Sequence, residues 1–102
     1  MNNMNMQAMI KQAQALQKNM LDAKKKVDEM TFTGESSMVT VTMKGSREVT
    51  AVKINPDMEL SKDDLDMLED MLVVAINDAT KKVEKAIEDN LGKYTKGMPG
   101  LF

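Results

Sequence analysis

Thr31-Phe32-Thr33-Gly34-Glu35-Ser36-Ser37-Met38-Val39-Thr40-Val41-Thr42-Met43-Lys44-Gly45-Ser46-Arg47-Glu48-Val49-Thr50-Ala51-Val52-Lys53-Ile54 is the stretch that decides the fold. β-Branched residues alternate with polar ones, and Gly34 and Gly45 interrupt them. The stretch therefore reads as three short strands within about 30–55, joined by turns as an antiparallel meander. A two-residue turn at Gly45-Ser46, with Gly at the first turn position, places Val39 opposite Val52 but Met43 opposite Glu48. A three-residue loop instead pairs Lys44 with Glu48 and Met43 with Val49, which suits only half of the strand. The apolar phase of the third strand slips between Ala51 and Val52, so a bulge there reconciles the two registers.

Upstream, the period changes from two to three-and-a-half. Met6, Met9, Ala13, Leu16, Met20, Ala23, Val27 and Met30 form an unbroken heptad seam in a segment free of Gly and Pro, which predicts a helix over about 5–30. Twenty-five helical residues span about 37 Å, more than a body of this size covers. Part of the helix is thus expected to project or to lie on a second subunit.

Downstream, Asn55-Pro56-Asp57 ends the last strand, because Pro lacks an amide donor and Asn-Pro favours a turn. Ser61 followed by Asp64 resembles a capping box, with Leu60 and Leu65 in the staple positions, and starts a second helix over about 62–91. Leu65, Leu68, Leu72, Ile76, Ala79, Val83, Ala86 and Ile87 carry its stripe. From Met71 to Ile76 it is apolar all round, so Met71, Leu72, Val73, Val74 and Ile76 are the expected dimer interface: the sheet covers one side and a second subunit the other. Residues 92–102, with Gly97, Pro99 and Gly100, read as a flexible tail. The fold class is therefore α+β in one domain, 1–102: helix, three-stranded antiparallel meander, helix.

Composition narrows the chemistry. The 102 residues contain no Cys, His or Trp, three aromatic residues and 12 Met. This removes thiol nucleophiles, imidazole bases, disulfides and the usual zinc ligands. A core with so few rings is light for a chain that buries only about two thirds of its unfolded surface, and an oligomer is expected. The longest apolar run is six residues, Met71–Ile76, far short of the roughly 20 that span a bilayer, and no signal-like segment is apparent. The expectation is a soluble, cytoplasmic protein with no membrane partner.

The glycines match neither a P-loop nor a dinucleotide fingerprint, and nothing marks Ser36 or Ser37 as an activated nucleophile. The acidic run from Asp57 to Asp70 lacks EF-hand spacing and reads as helix-start charge. No catalytic residue, metal site or cofactor is expected.

The lysines are more informative. With Met6 at heptad position a, Lys11, Lys18 and Lys25 all fall at f, opposite the apolar seam and about 10.5 Å apart. Lys24 and Lys26 flank the last of them. The net charge of −2 conceals an asymmetry: residues 1–30 hold five Lys against three acids, whereas residues 61–102 hold six basic against nine acidic side chains. A basic rod suits a phosphate backbone, so these five lysines are the candidate DNA contacts. A solvated helix face is the plainer reading of the same stripe. Lys81, Lys82 and Lys85 form a second basic group, but Asp78, Glu84, Glu88 and Asp89 lie within one helical turn of it. Arg47 is the only arginine and stacking aromatics are absent, which disfavours base-specific readout.

Three stretches together resemble the YbaB/EbfC family of bacterial nucleoid-associated proteins. They are Met9-Ile10-Lys11-Gln12-Ala13-Gln14-Ala15-Leu16-Gln17-Lys18-Asn19-Met20, Val39–Gly45 followed by Ile54-Asn55-Pro56, and Leu68-Glu69-Asp70-Met71-Leu72-Val73-Val74-Ala75-Ile76-Asn77-Asp78-Ala79. The ending Gly97-Met98-Pro99-Gly100-Leu101-Phe102 is similar too. The resemblance implies a tweezer-like homodimer that binds double-stranded DNA with little sequence preference on the nucleoid, alters its conformation and affects gene expression. It brings no enzymatic activity, cofactor or small-molecule substrate. Glu35-Ser36-Ser37 departs from the glycine-rich turn common in the family. The order helix, strands, helix with a methionine-bearing rod also resembles a prefoldin subunit, and a small chaperone or scaffolding protein is the alternative.

Overall fold

The computed structural model describes residues 3–95. A long helix α1 (Asn3–Glu29) leads into strands β1 (Thr31–Ser36), β2 (Val39–Lys44) and β3 (Val49–Ile54), then a single 3₁₀ turn (Lys62–Asp64) and a second helix α2 (Leu65–Thr95). The sheet is an antiparallel meander in the order β1-β2-β3. This is the α+β arrangement expected from the sequence.

The β2–β3 connection takes the three-residue form. The Lys44 amide donates to the Glu48 carbonyl at 2.8 Å, and Met43 pairs with Val49. A bulge then shifts the register, so that Val41 faces Val52 and Val39 faces Ile54; the Val39–Val52 pair of the two-residue turn is not formed, because the extra residue moves β3 the other way. The extra residue is Thr50, one position before the expected slip, and its hydroxyl reaches the Thr42 carbonyl. The left-handed residue of the loop is Arg47 (φ 76°), not Gly45. A three-residue hairpin loop needs that conformation at its last position, usually supplied by glycine. In the two-residue β1–β2 turn, Ser37 takes the left-handed conformation at the first position, with φ 49°.

Gly45 is glycine for a different reason. A Cβ there would overlap the carbonyl of Val27, the buried residue near the end of α1. The Gly45 amide also donates to Met30 at 2.9 Å, fastening the end of the helix to the hairpin. Gly34 is its counterpart on β1: a Cβ would run into the Ala75 carbonyl and the Ala79 amide. Strand and helix backbones therefore lie in direct apposition, and the small side chains of Ala75 and Ala79 permit it.

The core follows from this close approach. Val39, Val41 and Ala75 form one buried cluster, with Leu68, Met71, Leu72 and Ile76 against it. Met43, Ala79 and Val83 form a second, with Phe32, Ile76 and Ile87. Ala75, outside the stripe read from the sequence, is fully buried because it sits against Gly34.

Polar anchors hold the same seam. The Asp78 carboxylate accepts the Glu35 amide at 3.0 Å, and Lys82 donates to the Thr33 carbonyl at 2.6 Å. The Glu35 hydrogen bond, aided by the Lys82 charge, holds the Asp78 carboxyl below its ordinary value of 3.8. A lowered folded value means that this contribution to stability is complete above the ordinary value and is lost as pH falls through the folded one. Asp78→Asn should therefore be less stable than wild type at neutral pH, and the gap should close in acid below about 3.8; denaturant titrations of both proteins across this range check it.

At the start of α2, Asp64 accepts from the Ser61 amide (2.9 Å) and hydroxyl (3.1 Å), which closes the first turn. Leu60 and Leu65, the expected staple, remain exposed. Asn55 makes the expected turn, its side-chain oxygen accepting the Asp57 amide at 2.9 Å. At the other end α2 continues through Gly92 to Thr95, beyond the expected stop near Leu91. Glycine costs a helix only about 1 kcal/mol, and packing of α1 against Leu91 offsets that. The rest of the tail, 96–102, lies outside the described residues.

Candidate nucleic-acid interface

The shape of the molecule is set by how little of α1 is packed. Val27 is buried against the end of α2, lining one junction with Ile87 and Leu91, while Asn19, Asp22, Ala23 and Lys26 line another with Asn90 and Tyr94. The two helices run in opposite directions here, and α1 continues outward past the described end of α2. From Asn5 to Asn19 every residue is exposed, including the seam residues Met9 (68%) and Leu16 (57%). The result is an arm on a body, with extents of 75 × 20 × 15 Å and a radius of gyration of 20.4 Å. A compact chain of 100 residues would have about 13 Å.

The five lysines fall into two settings along α1. Because α1 is continuous, Lys11, Lys18 and Lys25 stand one above another on its outer side, all exposed. Lys24 and Lys26 sit at the base and face the body. Lys24 pairs with Asp28 at 3.0 Å beside the Gly45 hairpin, and Lys26 lines the groove with Asp22 and Tyr94. The arm from Asn3 to Asn19 carries Lys11 and Lys18 and no acid, so positive charge there is unopposed. Counting charges over the whole of residues 1–30 blurred this division, since the acids begin at Asp22.

Two of the three lysines of the second basic group are paired with acids on their own helix. Lys82 lies 3.6 Å from Asp78, and Lys85 lies 2.9 Å from Asp89. The sheet adds a surface that charge counting did not separate. Its face turned away from α2 presents Thr31, Thr33, Glu35, Thr40, Thr42, Lys44, Ala51 and Lys53, as the period-two alternation dictates.

The residues assigned to a dimer interface divide likewise. Met71, Leu72 and Ile76 are half-buried against the sheet, whereas Val73 and Val74 are more than half exposed. On β3, Val49, Val52 and Ile54 lie on the same face as the buried Met43, Val41 and Val39, yet all three remain exposed. The helix covers the β1–β2 side of this face and leaves the β3 side open. Among the described residues, no helix is long and apolar enough to cross a membrane, and no group of three or more carboxylates could hold a metal ion.

Comparison with known proteins agrees with this architecture. The fold matches that of an uncharacterized protein from Helicobacter pylori with a TM-score of 0.67 and 22% identity, over 95% of this chain and 99% of that one. In sequence, the chain is 46% identical over 99 residues to a nucleoid-associated protein of Enterococcus faecalis, covering 95% of this chain and 94% of the relative. It is 38% identical to one from Ligilactobacillus salivarius, covering 99% and 98%. Residues 1–98 match the model of the YbaB/EbfC DNA-binding family. The chain belongs to the YbaB/EbfC DNA-binding family.

Proposed function

We propose that this chain binds duplex DNA as a tweezer-like homodimer with little sequence preference, altering DNA conformation on the bacterial nucleoid in the cytoplasm and thereby affecting gene expression. The carrying observation is the acid-free arm, on which Lys11 and Lys18 project without a competing carboxylate in continuity with Lys25. Lys24 and Lys26 add charge at its base. Such a stripe meets phosphates rather than base edges, which makes binding indifferent to sequence and sensitive to salt. The names of the relatives supply the nucleoid as the place.

The open apolar side of the body supports self-association. Val49, Val52 and Ile54 are exposed on the sheet face that α2 packs on, the α2 segment Met71, Leu72, Val73, Val74 and Ile76 is only partly covered by that face, and a second copy would cover both. The body also weighs against a prefoldin-like chaperone. There, two long helices pair along their length, whereas α2 here lies across the sheet and meets α1 only at its last turns.

Gel shifts on unrelated duplexes at two salt concentrations, with the mass of the free protein measured alongside, test this reading. Retention of every duplex with similar affinity is expected, together with a mass of at least two chains. About five phosphate contacts per dimer give a log affinity against log salt slope near −4.5. Absence of retention at low salt, or an affinity indifferent to salt, overturns the proposal. Suppression of aggregation without DNA retention favours the chaperone.

A further inference from the structure

The arm presents two features the body does not use: an uncovered apolar seam and, opposite it, the lysine stripe. We infer that the arms of two chains pair through this seam, and that the pair, its lysine stripes facing outward on opposite sides, bridges two separate DNA duplexes. The inference rests on the DNA-binding reading and extends it from binding one duplex to joining two.

The seam argues for a helix as its partner. Met6, Met9, Ala13 and Leu16 follow heptad spacing on a straight projecting helix, and all are exposed. A seam of this spacing is buried by knobs-into-holes packing against another helix. A lipid surface fits poorly, because snorkelling lysines flank an apolar face and Lys11 and Lys18 stand directly opposite it.

The flanks argue for a second copy as that helix. The positions bordering the projecting seam are Ile10, Gln12, Gln17 and Asn19, none of them charged. Two identical arms can therefore approach in either direction without like-charge repulsion, which lysines or glutamates at these positions would impose. The apolar side of β3 lies elsewhere, beside the N-terminal half of α2, about 40 Å from the middle of the arm by helix rise. One chain can thus use both surfaces with different copies at once.

Pairing fixes the direction of the lysines. Position f lies on the far side of each helix from the interface, so the stripes of a paired rod face opposite ways across about 20 Å of protein. A single straight duplex on one side of the rod reaches only one stripe. The other remains available to a second duplex.

The test compares the full chain with a Met9→Gln and Leu16→Gln double variant. Glutamine keeps helix propensity and charge, and both sites lie outside the body and the lysine stripe. Two readouts are taken: mass by sedimentation without DNA, and capture of a labelled second duplex by protein already bound to an immobilised one. The wild type is expected to be heavier than the variant and to capture the second duplex; the variant is expected to lose capture while retaining wild-type affinity for a single duplex. Equal masses, or equal capture by the two proteins, overturn the inference. If neither protein retains even one duplex, the DNA-binding reading has failed, and the bridging inference fails with it; the mass comparison then separately reports whether the arms pair.

Discussion

Gly34→Ala is expected to lower the stability of the protein by about 3 kcal/mol, at the upper end of what overpacking costs. The added Cβ would overlap the Ala75 carbonyl oxygen and the Ala79 amide nitrogen and would stand 2.9 Å from Ala79 Cβ. Two of these three neighbours are main-chain atoms of α2, so no side-chain rotation relieves the clash. Relief requires lifting β1 from the helix, which opens the contacts of Val41 and Ala75 and stretches the Asp78 and Lys82 anchors on either side of Gly34. Small domains have only about 5–15 kcal/mol in total, so the loss is a large fraction. Urea denaturation should show a lower midpoint at unchanged slope, and the melting temperature should fall by about 15 °C. Gly92→Ala is the control. There a Cβ meets only the Glu88 carboxylate, at 3.8 Å or more, and alanine should be neutral or stabilise by up to about 1 kcal/mol. Wild-type stability in Gly34→Ala would mean that β1 does not rest on the backbone of α2.

The second large effect concerns DNA. Replacing Lys11, Lys18 and Lys25 by glutamate in every chain should abolish retention of duplex DNA at moderate salt while leaving the melting temperature unchanged. All three are exposed on the outer side of α1. With a slope near −4.5, wild-type affinity should itself fall roughly 500-fold between about 50 and 200 mM salt. The variant should have a much shallower slope at whatever low salt still permits binding, because fewer counterions are released. Lys85→Glu provides the contrast: Lys85 is already paired with Asp89 at 2.9 Å, so its reversal should leave retention little changed. Full binding by the triple variant would move the interface elsewhere, with the lysines of the open sheet face, Lys44 and Lys53, the next to replace.

The architecture could be read from periodicity because it rests on local patterns. The change from heptad spacing to strict alternation near Met30 marks where α1 becomes sheet, and the three-residue loop with a bulge follows from requiring Val49, Val52 and Ile54 to share one face. The lysine stripe was legible for the same reason: on a continuous helix, a spacing of seven fixes direction. Less legible were the reasons behind particular residues. Gly45 looks like a turn residue, yet its requirement is space beneath Val27, while Arg47 takes the left-handed conformation. Ala75 looks incidental in an apolar run, yet it is fully buried where strand and helix backbones meet.

The sequence by itself determined the order of elements and the sides of each that are apolar or basic, since these depend on neighbours within a few residues. Only the tertiary structure decided which apolar sides are used. It seats Val27 and half of α2 on the sheet, leaves β3 open, and carries the first four turns of α1 away from the body. The physical reason is that Gly34 and Gly45 fix where backbones touch. Gly34 lies 41 and 45 residues in sequence from Ala75 and Ala79, and Gly45 lies 18 from Val27, so both contacts are invisible to any local pattern. They determine that the acid-free arm stands out in solvent, its lysines on one side and its methionines on the other.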